Sequence, residues 1–192
     1  VLALAACADG PPPPSGPVAA TITFAHKAPL AIDVASVEVV EAWRQPGTPP
    51  HIGHLNANSP PHVLRAWARD RLRAVPGGPG ATDGMVLRVI LRDGSVTRTA
   101  LEVEEGVGGL FRDEADTRID AVCAVEVEVI DPSVGRLGSV TVRVQGARNI
   151  LESASLNDRD RVYFALMEEI AASLNSALEN GLQAELGFII KG

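Results

Sequence analysis

Residues Thr117 to Ala147 read TRIDAVCAVEVEVIDPSVGRLGSVTVRVQGA. Two apolar-rich runs flank Asp131-Pro132-Ser133-Val134-Gly135, a cluster of turn-forming residues. In the first run Ala121, Cys123, Val125, Val127 and Val129 fall at every second position. In the second, Val140, Val142 and Val144 alternate with Thr141, Arg143 and Gln145. A period of two puts one set on each face of a strand. The spacing predicts strands over Thr117–Ile130 and Leu137–Ala147, joined as a hairpin with one apolar face.

An apolar sheet face needs a cover, and the C-terminal segment supplies one. From Asp158 to about Leu186, the positions Val162, Leu166, Ile170, Ala177 and Leu178 belong to an apolar set with a 3.6-residue period. Tyr163, Met167, Leu174, Leu182 and Leu186 complete it. Ser155 followed by Asp158 resembles a capping box, with Asp in place of Glu. At 1.5 Å per residue this helix runs about 43 Å, more than the width of a small four-stranded sheet. The expectation is that Gly181 breaks it or that its C-terminal end projects toward a partner. Gly187-Phe188-Ile189-Ile190 is an apolar tail that a monomer has to tuck away.

Upstream, Met85–Leu91 alternates around Leu87, Val89 and Leu91, and Ser95–Val103 continues in extended form. Asp93-Gly94 reads as a bulge in one long strand, because a hairpin there would leave two very short arms. Before it, Ser59 can cap a helix and Pro60 suits its first position. Leu64, Trp67, Ala68, Leu72 and Val75 form the buried stripe of that helix. Arg65, Arg69 and Arg73 line another face at i, i+4, i+8, and Pro76-Gly77-Gly78-Pro79-Gly80 ends it. The first strand is Ile32–Trp43, and Thr21–Phe24 is a short extra strand or an extended lead-in. Gln45–Pro61 and Glu104–Asp116 read as loops. The expected fold is α+β and two-layered, in the order strand, helix, three strands, helix. An antiparallel sheet of about four strands carries both helices on one face.

Composition fits one globular domain: 46% of residues are hydrophobic and 21% charged. Aromatic residues make up only 4%, so Val, Leu, Ile and Ala must fill the core. A formal net charge of −7 disfavours nucleic-acid binding, which rests on neutralising phosphates with Lys and Arg. Lys27 and Lys191 are the only lysines; the Arg-rich usage reads as GC-rich coding rather than as function.

The N-terminal stretch VLALAACADGPPPPSGP, Val1–Pro17, is of another kind. Val1–Ala6 is apolar and ends in small residues, as the tail of a cleavable signal does. It is too short to span a bilayer, which needs about 20 apolar residues. Leu4-Ala5-Ala6-Cys7 resembles the lipobox of bacterial lipoproteins. That resemblance implies that Cys7 is acylated, with several chains giving the stable anchor that one chain cannot. It also implies that residues 1–6 are a signal remnant whose basic n-region precedes Val1. Residue Ala8, not Asp, favours the outer membrane by the same resemblance. Pro11–Pro14 favour polyproline II, and nine residues of it reach roughly 28 Å at ~3.1 Å each. Residues 7–17 are thus an anchor and tether, and 18–192 the domain. With Cys7 acylated, Cys123 has no disulfide partner and reads as a small core residue.

Signals of chemistry are sparse. His51-Ile52-Gly53-His54 lacks the helical i, i+4 spacing that orients two imidazoles on zinc. His26 and His62 would add ligands only if the loop folds back, so the histidines read as loop-shaping hydrogen-bonders. Gly106-Val107-Gly108-Gly109 has neither a following helix start nor a Lys to hold phosphate. Asp113, Glu114 and Asp116 depart from EF-hand spacing and read as a solvated acidic loop. Catalytic residues, metal ligands and cofactors are therefore not assigned. The functional candidates are contact residues. Leu110-Phe111, at the tip of Gly106–Arg112, can meet lipid or protein if exposed, or fold into the core. Arg65, Arg69 and Arg73 can meet anionic headgroups or an acidic partner, or form a solvated face diluted by Asp70.

The lipobox, tether and element order resemble small periplasm-facing lipoproteins that assist envelope transport. These are the lipopolysaccharide-assembly lipoprotein of the outer-membrane translocon and the auxiliary lipoproteins of ABC-type lipid transporters. The resemblance covers residues 4 to about 186, and its one explicit motif is Leu4-Ala5-Ala6-Cys7, so it transfers no site residues. It implies a non-enzymatic accessory or assembly factor that binds a membrane protein complex or an amphipathic lipid. A periplasmic ligand-binding module or small hydrolase, using a groove near His51 and His54, is the competing expectation.

Overall fold

The computed structural model describes residues 20–77, 84–101 and 115–191. In chain order the elements are β1 (Leu30–Ile32), β2 (Ser36–Glu41), α1 (Pro60–Arg71), β3 (Leu72–Ala74), β4 (Val86–Asp93), β5 (Val96–Ala100), β6 (Ala115–Asp131), β7 (Gly135–Leu151), α2 (Leu156–Glu185) and β8 (Ile190–Lys191). Single 3₁₀ turns occupy Gly53–Leu55 and Gly187–Ile189.

The predicted hairpin is the spine of the molecule. β6 and β7 each hold 17 residues and pair antiparallel along their whole length. The turn closes as its residues predict. The Asp131 carboxylate accepts the amides of Ser133 (2.7 Å) and Val134 (3.2 Å), and Gly135 takes a φ of +91°, which a side chain would disfavour. β4 and β5 lie on the other side of β6, both antiparallel to it. The register shifts by one residue between Leu91 and Asp93 and then continues to Ala100, so β4 and β5 behave as one strand with a bulge.

The side chains of the sheet divide as the alternation predicts. Leu87, Val89, Leu91, Cys123, Val125, Val127 and Val129 are fully buried on the inner face. Arg88, Arg92, Glu126 and Glu128 share the outer face and pair with one another, as in Arg92–Glu126 at 2.7 Å and Arg88–Glu128 at 3.1 Å. The carboxylates are largely covered but the guanidiniums stay in solvent, so such pairs add only about 0–1 kcal/mol each. The apolar face, covered by α1 and α2, carries the stability. The α+β class with two helices therefore holds.

The sheet plan differs from the expectation in two ways. The chain forms a five-stranded sheet, β2 to β7 without β3, and a separate three-stranded sheet in the order β3-β1-β8. Both are mixed, because β2 runs parallel to β4 and β1 parallel to β3. The predicted strand Ile32–Trp43 is divided between them. The Asp33 amide donates to Ile189 O (2.7 Å) and the Ala35 amide to Met85 O (2.8 Å), so the backbone changes sheets within three residues. Alternation along the chain cannot register such a change, because Val34, at the crossing, is as buried as a strand residue.

The 30-residue helix α2 neither breaks nor overhangs. Its length of about 45 Å lies along the hairpin, whose strands reach about 58 Å, rather than across the sheet. It runs antiparallel to β7 through three close approaches. Cβ atoms built on Gly146, Gly181 and Gly138 would lie 3.0 Å from Leu166, 2.6 Å from Val140 and 2.8 Å from Leu186. Gly181 thus admits a strand side chain to the helix surface. The capping box at Ser155 and Asp158 is present. The apolar tail is tucked in by Leu186 and Ile189, both buried, and by β8 pairing with β1, while Phe188 stays exposed.

The predicted helix start at Ser59-Pro60 holds, though the Ser59 hydroxyl bonds His62 Nδ1 and caps no backbone amide, and α1 ends at Arg71 rather than past Val75. Leu72 turns extended because β3 is drawn into parallel pairing with β1. Thr21–Phe24 is an extended lead-in with Ile22 and Phe24 buried. Asn58 fixes the Ile22 amide (3.0 Å) and Ala20 carbonyl (2.8 Å), and Asp70 accepts the Phe24 amide (2.9 Å). Arg69, with help from that amide, holds the Asp70 carboxyl below its ordinary range. A carboxyl with a depressed folded-state pKa stabilises above its unfolded pKa and loses that contribution as pH falls through the folded value. The lead-in should therefore stay docked at neutral pH and loosen only below about pH 4. The Phe24 amide resonance, followed by NMR from pH 7 to 2, checks this. A midpoint above pH 5 would contradict it.

Candidate functional site

Three of the sequence-predicted contact and anchor residues, Cys7, Leu110 and Phe111, lie outside the described residues. So do Asp113 and Glu114 of the acidic loop. The arginine stripe is corrected by the helix end: Arg65 and Arg69 are on α1, but Arg73 is on β3. Arg65 pairs with Glu41 of β2, and Arg69 with Asp70 at 2.8 Å. The three guanidiniums therefore do not form one helical face.

His51 forms an isolated bridge with Thr97, and His54 sits exposed in the first 3₁₀ turn. Among the described residues, no cluster of three His, Cys, Asp or Glu side chains is placed to hold a metal ion. Asp116, the second residue of β6, meets Arg159 at 3.4 Å; the Thr117 hydroxyl and then Arg159 hold its carboxyl below the ordinary range. Cys123 is a fully buried free thiol. Burial, and then the charge of Asp93, push it up to about 12, so it carries no thiolate at neutral pH.

A cleft of about 400 Å³ opens between the end of β2 and the start of α1, lined by Glu41, Trp43, Gln45, Ser59, His62 and Arg65. Ser59 Oγ lies 2.9 Å from His62 Nδ1, the spacing of a nucleophile and its base. The surroundings do not serve acyl transfer. Ser59 is only 1% exposed. The next two residues are Pro60 and Pro61, which have no N–H to offer an oxyanion, and the amides of His62 (2.8 Å) and Val63 (3.0 Å) already donate to Ser59 O. Burial, and then Arg65, lower the His62 pKa, while Glu41 opposes them. The pair seats the start of α1. Neither His51 nor His54 lines this cleft, nor a second one of about 240 Å³ at the N-terminal end of α2.

The larger exposed feature is the sheet edge. Among the described residues, β7 has β6 as its only strand neighbour, and β2, at the opposite edge, has only β4. β7 therefore presents 17 residues of edge backbone. Its charged side chains are Arg136, Arg143 and Arg148, which reach Glu126 (3.2 Å), Asp93 (3.4 Å) and Glu169 respectively. Leu137 and Leu151, near its two ends, are exposed.

Sequence reasoning missed the polar cluster between the helices. Arg71, 3% exposed, donates through Nε to Asn175 Oδ1 (3.0 Å) and pairs with Glu179 (3.0 Å). Trp67 Nε1 donates to the same Asn175 oxygen at 3.3 Å. The one available signal was Asn175 beside Leu174 and Leu178 in the helical pattern, a polar residue close to the buried stripe.

No protein-family model matches the chain, and no curated protein matches it. Among solved structures, it is similar to the rare lipoprotein B from Shewanella oneidensis, at 16% identity and TM-score 0.37, covering 78% of this chain and 92% of that one. It is similar to a minor lipoprotein from Acinetobacter baumannii at 13% identity and TM-score 0.35, covering 76% and 90%. A protein from Xanthomonas campestris gives 12% identity and TM-score 0.32, covering 88% of each. Likeness at this level establishes neither the fold nor the activity of this chain.

Proposed function

We propose that the chain is a lipid-anchored envelope protein, without enzymatic activity, that docks onto a membrane protein complex through the open edge of β7. The observation that carries this reading is the edge itself, 17 residues long with a strand on one side only among the described residues. An open edge offers unpaired backbone donors and acceptors, and a partner strand that fills it gains main-chain hydrogen bonds along its length. The three arginines on β7 guard against indiscriminate pairing and leave the edge to a selected strand. Acylation at Cys7 confines the domain to a membrane surface, and the proline-rich tether lets it reach a partner standing off that surface. Placement at the outer membrane, and contacts from Arg65, Arg69, Arg73, Leu110 and Phe111, belong to the same proposal. Arg73 is the most available of the three arginines, since Arg65 and Arg69 have acidic partners.

A photo-crosslinking residue at Thr141, exposed on β7, and another at Ser173, exposed on α2, test the reading in native membranes. Thr141 should yield one dominant crosslinked membrane protein and Ser173 none. Cys7→Ser should move the protein to the soluble fraction and abolish the crosslink. Equal products at both positions would defeat the edge-docking reading. Membrane retention of the Cys7→Ser variant would defeat the anchor.

A further inference from the structure

The second cleft, of about 240 Å³, opens where β5 and β7 approach the first turns of α2. Ile119, Ile150 and Tyr163 line it from within, and Leu55, Leu156 and Arg98 also border it. Three observations converge on one kind of occupant.

The first is exposed apolar surface. Leu55 is 68% exposed and Leu156 83%, the latter the most exposed large hydrophobic side chain among the described residues. Two leucines held in water beside an apolar cleft lose the gain of burial that an aliphatic occupant would restore. The second is Tyr163. It is 3% exposed and lines the cleft, yet its hydroxyl has no hydrogen-bond partner among the described residues. Buried hydroxyls are ordinarily paired; this oxygen is itself covered, so it donates to a ligand that parts the side chains over it. The third is Arg98. Its neighbour Arg159 is engaged by Asp116 (3.4 Å) and by the carbonyl of Ala154 (3.2 Å), whereas Arg98 has no side-chain partner among the described residues. Asp160, exposed, is the only carboxylate lining the cleft, so a single negative charge suits it better than two.

We propose that this cleft binds a medium-chain aliphatic carboxylate. A carboxylate accepts from a guanidinium and a phenol at once, which suits Arg98 and Tyr163. The chain lies between Leu55 and Leu156. A methylene displaces about as much space as a water molecule, ~30 Å³, so the cleft suits a chain of roughly eight to ten carbons. Ile150 is the only β7 residue lining this cleft, and the site uses its side chain rather than the open edge backbone, so it does not depend on the docking reading.

Calorimetric titration of the purified full chain, with probes kept below their aggregation concentrations, tests the proposal. Decanoate should bind saturably at one site. Decyltrimethylammonium, with the same chain and opposite charge, should bind at least about tenfold more weakly, and acetate not measurably. Arg98→Ala should remove the preference for the anion, and Leu156→Asp should weaken decanoate by about tenfold or more. Both residues are exposed, so the melting temperature of each variant should match the parent. Tyr163→Phe should weaken decanoate severalfold without loss of thermal stability. Absence of saturable decanoate binding overturns the proposal. So does equal affinity for the two charged probes, or an Arg98→Ala variant that binds as the parent does. The crosslinking result at β7 is independent of all these outcomes.

Discussion

Replacing Asn175 by leucine should lower the unfolding free energy by about 3 kcal/mol, read as a shift in the urea midpoint at constant slope. The substitution keeps the side chain's approximate size and adds apolar surface in a helix that favours leucine, so propensity and hydrophobicity both predict a gain. The polar cluster reverses the sign. Asn175 Oδ1 is the shared acceptor for Trp67 Nε1 (3.3 Å) and Arg71 Nε (3.0 Å), and both donors are buried. Losing the acceptor strands two donors at about 1–3 kcal/mol each, partly offset by the added burial. Arg71 keeps Glu179, which prevents a larger loss. The triple replacement Arg71→Met, Asn175→Leu, Glu179→Leu should recover most of the stability, because an apolar cluster of similar volume needs no partners. If the single variant is as stable as the parent, the cluster is not satisfied in the folded protein as described.

Gly181→Ala should destabilise by about 1–2 kcal/mol, although alanine in a helix interior is worth about 1 kcal/mol over glycine. A Cβ at residue 181 would meet Val140 Cγ2 at 2.6 Å, closer than carbon atoms approach. Valine is β-branched and stiff at χ1, so its methyl cannot swing aside and β7 or α2 has to move. Val140→Ala in the same chain makes the room, and the double variant should be more stable than Gly181→Ala alone. Thermal unfolding of the three variants measures the coupling as a double-mutant cycle. Additive effects would show that residues 181 and 140 do not touch. A stabilised Gly181→Ala would show that α2 lies farther from the sheet.

These two sites show why some of the fold was legible and some was not. The hairpin and α2 announce themselves because burial repeats along the chain with the period of the element. The bulge at Asp93-Gly94 was readable from a turn pair placed where a hairpin would be too short. The length of α2 is legible in its period but its placement is not, since strand length, not sheet width, sets what the helix can lie along. Arg65, Arg69 and Arg73 have helical spacing, and only the pull of β3 toward β1 removes Arg73 from the helix. Taken singly in the sequence, Ser59 suggests a cap and His62 a loop hydrogen-bonder, and only the fold brings them into one hydrogen bond.

By itself, the chain determined the α+β class, the hairpin with its inward valines, the helix start at Ser59, the capping box at Ser155, and the buried role of Cys123. Each depends on neighbours within a few residues, whose spacing is written in the order of amino acids. Tertiary structure alone decided the parallel pairing of β2 with β4, the division of one apolar run between two sheets, and the helix end at Arg71. It alone joined Arg71 to Asn175, 104 positions away, and gathered Leu55, Arg98, Leu156 and Tyr163 around one cleft. Those arrangements depend on which surfaces meet once the core closes, and contacts between distant segments leave no period in the sequence.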